Sequence, residues 1–357
     1  MRTDGSLALA VSDALQGLLQ VSTDERNEIG ESLSLRKNMY TKELQYQPHI
    51  ESTEIRQLME AVAIAAHVGG KETLRYHRMP SGELHTEAKQ DRTIVGITDR
   101  MSERVMQQTI QRRLGGAYAD LGLIAEERGY ISGDMQLLLD GVDGSFGFTR
   151  GGDEYGVIAG ILEHSSNDEG SQITVDNMLT AAICLPKKQK LIYAARGQGA
   201  HCLYLNDDLS KVMNTEQLII NENFGADWIN MIVSMDANHT PLNIDRKHAL
   251  QKAMMQRFGT VSFREYGSNG HDQCMAVLNS PEGRNMIDLY FADCFSGPWD
   301  ILPGALIIQE AGGIVIDPTG NKVNLNSKAA LGGSEAMVNL FADDFRDIYS
   351  GYTGFAT

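Results

Sequence analysis

Three widely separated stretches of this 357-residue chain place carboxylates where they could bind divalent metal ions. They are Glu126-Glu127, the run from Asp140 to Ser145, and Trp299-Asp300. The middle stretch is the most informative, because the apolar run Leu137 to Leu139 is typical of a buried strand and delivers two acids where the chain must turn. Hard cations such as Mg²⁺ prefer carboxylate and carbonyl oxygens, so Asp140, Asp143 and the Val142 carbonyl are suited to them.

In these motifs the chain resembles the inositol monophosphatase family, which belongs to a superfamily of lithium-sensitive, Mg²⁺-dependent phosphatases with fructose bisphosphatases and bisphosphate nucleotidases. Members carry Glu-Glu, then Asp-Pro-(Ile/Leu)-Asp-Gly-(Thr/Ser), then Trp-Asp-x-x-x-Gly opening a helix that ends in Glu-Ala-Gly-Gly. All occur here in that order, the last two as Trp299 to Gly304 and Glu310 to Gly313. The resemblance extends from roughly Glu54 to Ala336, and Ala195 to Ala200 is similar to a family hairpin motif.

The resemblance implies a five-layer αβαβα sandwich, whereas the order of helical and strand patterns indicates only a layered α/β or α+β fold. We expect a helical N-terminal extension over residues 1–50 and an N-terminal α+β subdomain over 51–205 that carries most metal ligands. A C-terminal α/β subdomain over 206–357 would carry Asp300 and the substrate loop.

Hydrophobic spacing predicts the elements more closely. The predicted helices are Leu7 to Leu19, Ile55 to Val68 with Gly69-Gly70 ending it, and Met101 to Leu114 with Gly115-Gly116 ending it. The predicted strands are Tyr155 to Leu162, Asn177 to Leu185 and Lys190 to Ala195, with Leu218 to Ile220 and Met231 to Ser234 beginning a second set.

The resemblance also implies a ligand set for two or three Mg²⁺ ions. Glu126, Asp140 and the Val142 carbonyl would bind one ion, and Asp140, Asp143 and Asp300 would bind another, with Asp140 as the bridge. Each motif alone has a simpler reading, since Glu-Glu can be a solvated charge pair, Asp-x-x-Asp a turn and Asp300 a helix cap. Their occurrence together in order favours the metal site.

Catalytic and substrate roles follow from the same resemblance. Glu126 and the Ser145 hydroxyl would orient the attacking water, and Asp99 would hydrogen-bond Ser145, although an Asp beside a helix start can be only a cap. Backbone N–H groups of Gly144, Ser145 and Phe146 would hold the phosphate. The residues expected to contact the sugar ring are Gly267, Ser268 and Asp293. The nearby His271 and Asp272 are interpreted as polar loop residues.

The chain departs from the family pattern at three places. Gly141 replaces the usual proline, which should loosen the turn between the two aspartates unless bound metal orders it. Phe146 and Gly147 stand where Thr and Asn are common, which alters the wall beside the phosphate. Pro303 replaces an alanine in the first turn of its helix, where proline is tolerated.

Composition limits the partners. The formal net charge of −16 argues against nucleic acid or an anionic membrane as the main partner, because both attract Lys and Arg. The four cysteines show no C-x-x-C spacing and the N-terminus carries no secretory pattern, so we expect a cytoplasmic protein. Homodimerisation and inhibition by lithium are expected from the family resemblance alone.

The sequence therefore predicts a Mg²⁺-dependent phosphomonoesterase that hydrolyses inositol phosphate or a related sugar phosphate with water. One alternative is a bisphosphate phosphatase acting on 3'-phosphoadenosine 5'-phosphate or fructose 1,6-bisphosphate, for which Arg264 could bind the second phosphate. Another is a non-catalytic sugar-phosphate-binding relative.

Overall fold

The computed structural model describes residues 53–77, 94–118, 120–133, 135–163, 169–220, 231–236, 241–281, 283–293 and 295–352, together with 79, 84 and 86–88. The expected extension over residues 1–50, with its predicted helix Leu7 to Leu19, lies outside the described residues. Among the helices that are described, none combines the length and the apolar character needed to cross a bilayer.

The described part of the chain contains seven α-helices and fifteen strands. The helices are α1 Thr53–His77, α2 Ile97–Leu114, α3 Ser145–Phe148, α4 Pro241–Phe258, α5 Asn269–Val277, α6 Leu302–Glu310 and α7 Glu335–Tyr349. The strands are β1 Glu87–Ala88, β2 Ile94–Val95, β3 Gly122–Ala125, β4 Gly129–Ile131, β5 Met135–Asp143, β6 Gly156–Glu163, β7 Met178–Leu185, β8 Lys190–Ala195, β9 Ala200–Leu205, β10 Val212–Leu218, β11 Met231–Asp236, β12 Val261–Arg264, β13 Leu289–Ala292, β14 Ile314–Ile316 and β15 Ala330–Gly333.

Two large sheets organise these elements. The first has eight strands in the order β10-β9-β8-β7-β6-β5-β3-β4, with β3 and β5 parallel and the other neighbours antiparallel. The second has five strands in the order β12-β11-β13-β15-β14, with β11 parallel to both β12 and β13. Strands β1 and β2 form a separate short pair.

Three hydrophobic clusters stack the sheets and helices into five layers. One cluster joins α1 and α2 to one face of the eight-stranded sheet. A second joins the opposite face of that sheet to α5, α6 and the inner face of the five-stranded sheet. The third packs α4 and α7 on the outer face of the five-stranded sheet. The order helices, sheet, helices, sheet, helices is the αβαβα arrangement that the family resemblance implies.

The prediction that Gly69-Gly70 ends the first helix is wrong, because α1 continues through both glycines to His77. A Cβ on Gly70 would lie 2.5 Å from the Cys184 Sγ atom. The glycines therefore allow the helix to approach the sheet closely, and they do not act as a C-cap. By contrast, α2 ends at Leu114 as predicted, with the positive φ of 61° at Gly115.

The second set of strands begins later than predicted. Leu218 belongs to β10, which pairs with β9 at the edge of the eight-stranded sheet, and the five-stranded sheet starts at Met231. Strand pairing thus carries the first sheet past residue 205, where the sequence analysis placed the boundary between subdomains. The division into subdomains stays a proposal.

Gly69→Ala tests the close approach of α1. The new methyl group would lie 2.8 Å from Val157, 2.9 Å from Met106 and 2.9 Å from Ser102, so overpacking should outweigh the better helix propensity of alanine. We expect a loss of about 1–2 kcal/mol in the free energy of unfolding, measured by urea denaturation. The control Gly116→Ala, with no atom within 4 Å of its added methyl group, should change stability by less than about 0.5 kcal/mol. Equal stability of the two variants would contradict the packing argument.

Candidate metal centre

A β-bulge in β5 places two carboxylates on the same face of the eight-stranded sheet. Asp140 pairs with Ile158 and Asp143 pairs with Gly156, so an advance of three residues along β5 corresponds to an advance of two residues along β6. In a regular strand, residues three apart point to opposite faces, but the extra residue corrects this alternation. Both aspartates consequently point toward the middle layer, where α5 and α6 lie.

Asp300 approaches the same point from the middle layer. It ends the short 3₁₀ turn Pro298–Asp300 that leads into α6. Ligand oxygens of Asp140, Asp143 and Asp300 all lie within 4.8 Å of one another, and the three side chains are buried. The structure therefore brings together three of the five predicted metal-ligating residues as one cluster.

Backbone amides orient two of these carboxylates. The Val142 N–H donates to Asp140 Oδ1 at 2.9 Å. The N–H groups of Ser296 and Gly297 donate to Asp300 Oδ2 at 2.6 and 3.3 Å. In each case one oxygen is fixed by the backbone, which leaves the other oxygen of the same carboxylate able to coordinate a cation.

Asp143 is held by the first turn of α5. Its Oδ2 accepts hydrogen bonds from the Ser268 hydroxyl and the Gly270 N–H, both at 2.6 Å, and its Oδ1 accepts from the Asn269 N–H at 3.1 Å. The partial positive charge at a helix N-terminus also favours a carboxylate. These contacts join a strand of the first sheet to a helix of the middle layer.

Burial and mutual repulsion raise the pKa of each acid in the cluster. For Asp140 the main cause is burial, followed by the carboxylates of Glu126, Asp143 and Asp300. Burial also raises the pKa of Asp300 and of Asp143, although hydrogen bonds from α5 oppose the shift at Asp143. Buried carboxylates in this arrangement need either protons or cations for neutralisation. An all-oxygen donor set suits a hard divalent cation.

Glu126 lies in the turn after β3, half-buried beside this cluster. Its charge contributes to the raised pKa of Asp140, Asp143 and Asp300, which places it within electrostatic range of all three. Its own N–H donates to the Leu139 carbonyl of β5 at 3.3 Å. The Val142 carbonyl, the fifth predicted ligand, lies in β5 between the two aspartates.

Glu103, a fully buried acid on α2, was not among the predicted site residues. Its Oε1 accepts the N–H of Glu127 at 2.9 Å. Burial, reinforced by the carboxylates of Glu127, Glu126 and Asp99, raises its pKa to about 8. The spacing Asp99-x-x-x-Glu103 could have indicated this residue, because positions four apart share one face of a helix.

Ser145 and Asp99 are in contact, as expected. The Ser145 hydroxyl donates to Asp99 Oδ1 at 2.7 Å and lies 2.8 Å from the Val142 carbonyl oxygen, so its single hydrogen can serve one acceptor at a time. Asp99 Oδ2 accepts the N–H of Gly96, which makes Asp99 a helix-capping residue as well. Both readings of Asp99 are therefore compatible, and its catalytic role stays a prediction.

The expected phosphate-binding turn lies against the Gly267-Ser268 loop. Gly144 has a left-handed φ of 96°, and a Cβ there would lie 2.9 Å from the Ser268 Cβ. Glycine is thus required both by the conformation and by the close approach of the loop. Phe146 follows in α3 with 51% of its surface exposed. The five residues from these two segments that were predicted to bind substrate therefore lie together.

Asp293 is placed differently. It is 1% exposed, and its Oδ2 accepts a hydrogen bond from the Tyr349 hydroxyl of the outer helix α7 at 2.9 Å. Alternation along β13 directs Tyr290 and Ala292 to the middle layer, so the following residue points outward. Its predicted contact with the sugar ring stays a prediction.

His271 and Asp272 are not loop residues, because both are buried in the first turn of α5. Asp272 accepts hydrogen bonds from the Ser234 hydroxyl and from His271 Nδ1, the latter at 3.1 Å. Burial raises the pKa of Asp272 and lowers that of His271 to about 4. A neutral histidine beside an aspartate is a packed polar pair, which local loop composition could not predict.

Gly141 has a packing reason for lacking a side chain. It is buried within β5, and a Cβ would lie only 2.3 Å from the Asp99 carbonyl oxygen. Another missed residue, Gln273 of α5, donates to the Asp300 carbonyl at 3.1 Å, and a Cβ on Gly304 would collide with its side chain. Both glycines let a neighbouring element approach the predicted metal ligands.

The chain is similar to known proteins both in sequence and in fold. Residues 55–349 match the sequence model of the inositol monophosphatase family. The Nus factor SuhB of Pasteurella multocida is 27% identical over 253 residues, covering 69% of this chain and 79% of its own. The fructose-1,6-bisphosphatase/inositol-1-monophosphatase of Thermotoga maritima is 24% identical over 269 residues, covering 75% of this chain and 87% of its own. The crystal structure of the extragenic suppressor protein suhB from Bartonella henselae covers 83% of this chain and 99% of its own, at 19% identity and a TM-score of 0.61, which shows the shared fold.

The buried acids predict how pH affects the metal-free protein. Burial raises the pKa of Glu103 from 4.5 to about 8 and the pKa of Asp236 from 3.8 to about 8. Between these values the folded state binds more protons than the unfolded chain, so stability falls as pH rises. We expect Tm in EDTA to drop by about 5 °C from pH 5 to pH 8, and Mg²⁺ to reverse much of that loss.

Two aspartate variants serve as controls for this measurement. Asp140→Asn should reduce both the pH dependence and the stabilisation by Mg²⁺, whereas Asp343→Asn on the exposed face of α7 should preserve both. A Tm in EDTA that stays constant or rises between pH 5 and pH 8 would contradict the account of buried, repelling carboxylates.

Proposed function

This chain belongs to the inositol monophosphatase family, a family of phosphatases, and we propose that it is a Mg²⁺-dependent phosphomonoesterase. Its substrate would be inositol phosphate or a related sugar phosphate, released as the free polyol and inorganic phosphate. The observation that carries the proposal is the buried cluster of Asp140, Asp143 and Asp300, with Glu126 beside it. Such a cluster lowers stability without cations, so a binding role accounts for its presence better than a structural one.

Each part of the site has a task in this reaction. Bound Mg²⁺ would neutralise the ester and make water a stronger nucleophile by lowering its pKa from about 15.7 toward about 7. Asp140, Asp143, Asp300, Glu126 and the Val142 carbonyl would hold the ions. The first N–H groups of α3, which have no partner within the helix, would donate to the phosphate oxygens.

Orientation of water is the task we assign to Ser145 and Glu126. The contact between Ser145 and Asp99 fixes the hydroxyl beside the bulge that carries the metal ligands. Fixing a polar group in this way lowers the entropic cost of positioning the reactants. Asp99 acts through Ser145 and would be a positioning residue.

A polyol phosphate is favoured over a bisphosphate by the charges near the substrate loop. The carboxyl ends of parallel strands are where ligands bind in α/β sheets, and β11 and β12 end here in Asp236 and Arg264. Asp236 lies within electrostatic range of Asp143 and Asp272. A carboxyl group, protonated or ionised, forms hydrogen bonds with sugar hydroxyls, and it offers no positive charge to a second phosphate.

Two other functions are suggested by the names of relatives. One relative is named a fructose-1,6-bisphosphatase/inositol-1-monophosphatase, which keeps bisphosphates among the candidate substrates. Another is named a Nus factor, and a non-catalytic role of that kind would not require turnover of an ester. Both alternatives differ from the main proposal in a measurable activity.

Asp300→Asn should abolish phosphate release. The asparagine oxygen can still accept the N–H groups of Ser296 and Gly297, so the turn is preserved while an anionic ligand is lost. We expect activity on a panel of inositol, pentose, hexose and nucleotide phosphates to require Mg²⁺ and to fall at least about 100-fold in the variant. Release of inorganic phosphate is the measurement, with EDTA-treated protein and Asp343→Asn as controls. Metal-dependent release unchanged in Asp300→Asn would contradict this metal centre, and folded wild-type protein without activity on any ester would favour the non-catalytic role.

Arg264→Gln separates the two enzymatic candidates. Arg264 is exposed at the end of β12 and donates to the carbonyl of Phe263. If the substrate is a monophosphate, the variant should keep activity within about 3-fold of the wild type, because an exposed guanidinium with no second phosphate to bind contributes little. A selective loss of activity on fructose 1,6-bisphosphate or 3'-phosphoadenosine 5'-phosphate would instead support the bisphosphatase.

A further inference from the structure

Helix α2 presents two buried acids to the two halves of the site. Asp99 and Glu103 are four residues apart, so they lie one above the other on one helix face. Asp99 contacts Ser145 after β5, and Glu103 contacts the backbone of Glu127 after β3. One rigid helix thus sets the distance between the turn that carries Ser145 and the turn that carries Glu126.

The backbone of Glu126 is held on both sides. Its own N–H donates to the Leu139 carbonyl at 3.3 Å, and the N–H of the next residue, Glu127, donates to Glu103 Oε1 at 2.9 Å. These two contacts fix the peptide planes before and after the Glu126 Cα atom. The direction of the Glu126 side chain follows from those planes.

Glu103 itself is fully buried, and its Oε2 atom has no hydrogen-bond partner among the described residues. Burying such a group has a cost that an apolar residue would avoid. This free-energy cost is accounted for if the site needs a side chain long enough to extend from α2 to the N–H of Glu127.

We propose that Glu103 is a positioning residue that sets Glu126 for metal binding through the hydrogen bond to Glu127. The proposal rests on the proposed metal site and adds to it the residue that orients one of its ligands. Glu103 acts as an acceptor of fixed length, and its negative charge is not required. Partners behind metal ligands typically change metal affinity by 10- to 100-fold.

Two substitutions separate the length of the side chain from its ability to ionise. Glu103→Gln keeps the length and the acceptor oxygen but cannot ionise, and its amide would lie near Glu127, Glu126 and Asp99. Glu103→Asp keeps an ionisable carboxyl group but is one methylene too short to reach the N–H of Glu127. Calorimetric titration of Mn²⁺ into each purified protein measures affinity independently of turnover, since Mn²⁺ also prefers oxygen ligands.

We expect the dissociation constant for Mn²⁺ to stay within about 3-fold of wild type in Glu103→Gln and to rise about 10- to 100-fold in Glu103→Asp. The control Thr109→Val removes another side-chain hydrogen bond of α2, from the Thr109 hydroxyl to the Val105 carbonyl, and should leave affinity unchanged. Affinity weakened by Glu103→Gln, or retained by Glu103→Asp, would overturn the proposal. If the aspartate variant does not fold, an affinity loss greater than about 3-fold in Glu103→Gln still overturns it. A wild-type protein that binds no Mn²⁺ would instead remove the proposed metal site itself.

Discussion

The repulsion among the carboxylates of Glu126, Asp140, Asp143 and Asp300 is the constraint on which the rest of the structure depends. The three aspartates are buried and Glu126 is half-buried beside them, and the charges of neighbouring acids make the ionised form of Asp140 and Asp300 less favourable. The fold holds them by directing backbone N–H groups at one oxygen of Asp140 and Asp300 and by seating Asp143 on a helix N-terminus. The same donors that offset the repulsion also orient the carboxylates toward a common point, so electrostatic support and ligand geometry come from the same contacts.

The contacts at the site cross the layers of the fold. Asp140 and Asp143 belong to the eight-stranded sheet, Asp300 to the middle helices, and Glu126 to a turn supported by the helix layer behind that sheet. Bringing them together requires most of the tertiary structure to be formed. Stability and the geometry of the acids are therefore linked, because a packing change in α1 or α2 would reach the acids through Glu103 and Asp99.

Short motifs predicted the main part of the site because their chemistry is local. Asp140, Asp143 and Asp300 could be identified from their neighbours, and the helix end at Gly115 followed from residue preferences. Features that depend on distant neighbours were missed. Gly69-Gly70 looked like a helix end because the close approach of Cys184 is not visible in the local sequence. Nothing in the local sequence distinguishes Glu103 from the other charged residues of its helix, because only the tertiary structure shows its hydrogen bond from the N–H of Glu127.

The bulge in β5 has a consequence for how this segment can vary. Asp140 and Asp143 share a face because one residue more lies on β5 than on its partner strand. The number of residues between the two acids is thus fixed more strictly than the identity of those residues. A substitution there changes a contact, whereas a deletion would turn Asp143 away from α5 and toward α2. Gly141 and Val142 act as a spacer between the two acids. The length of this spacer decides whether Asp143 of the eight-stranded sheet reaches the N-terminus of α5.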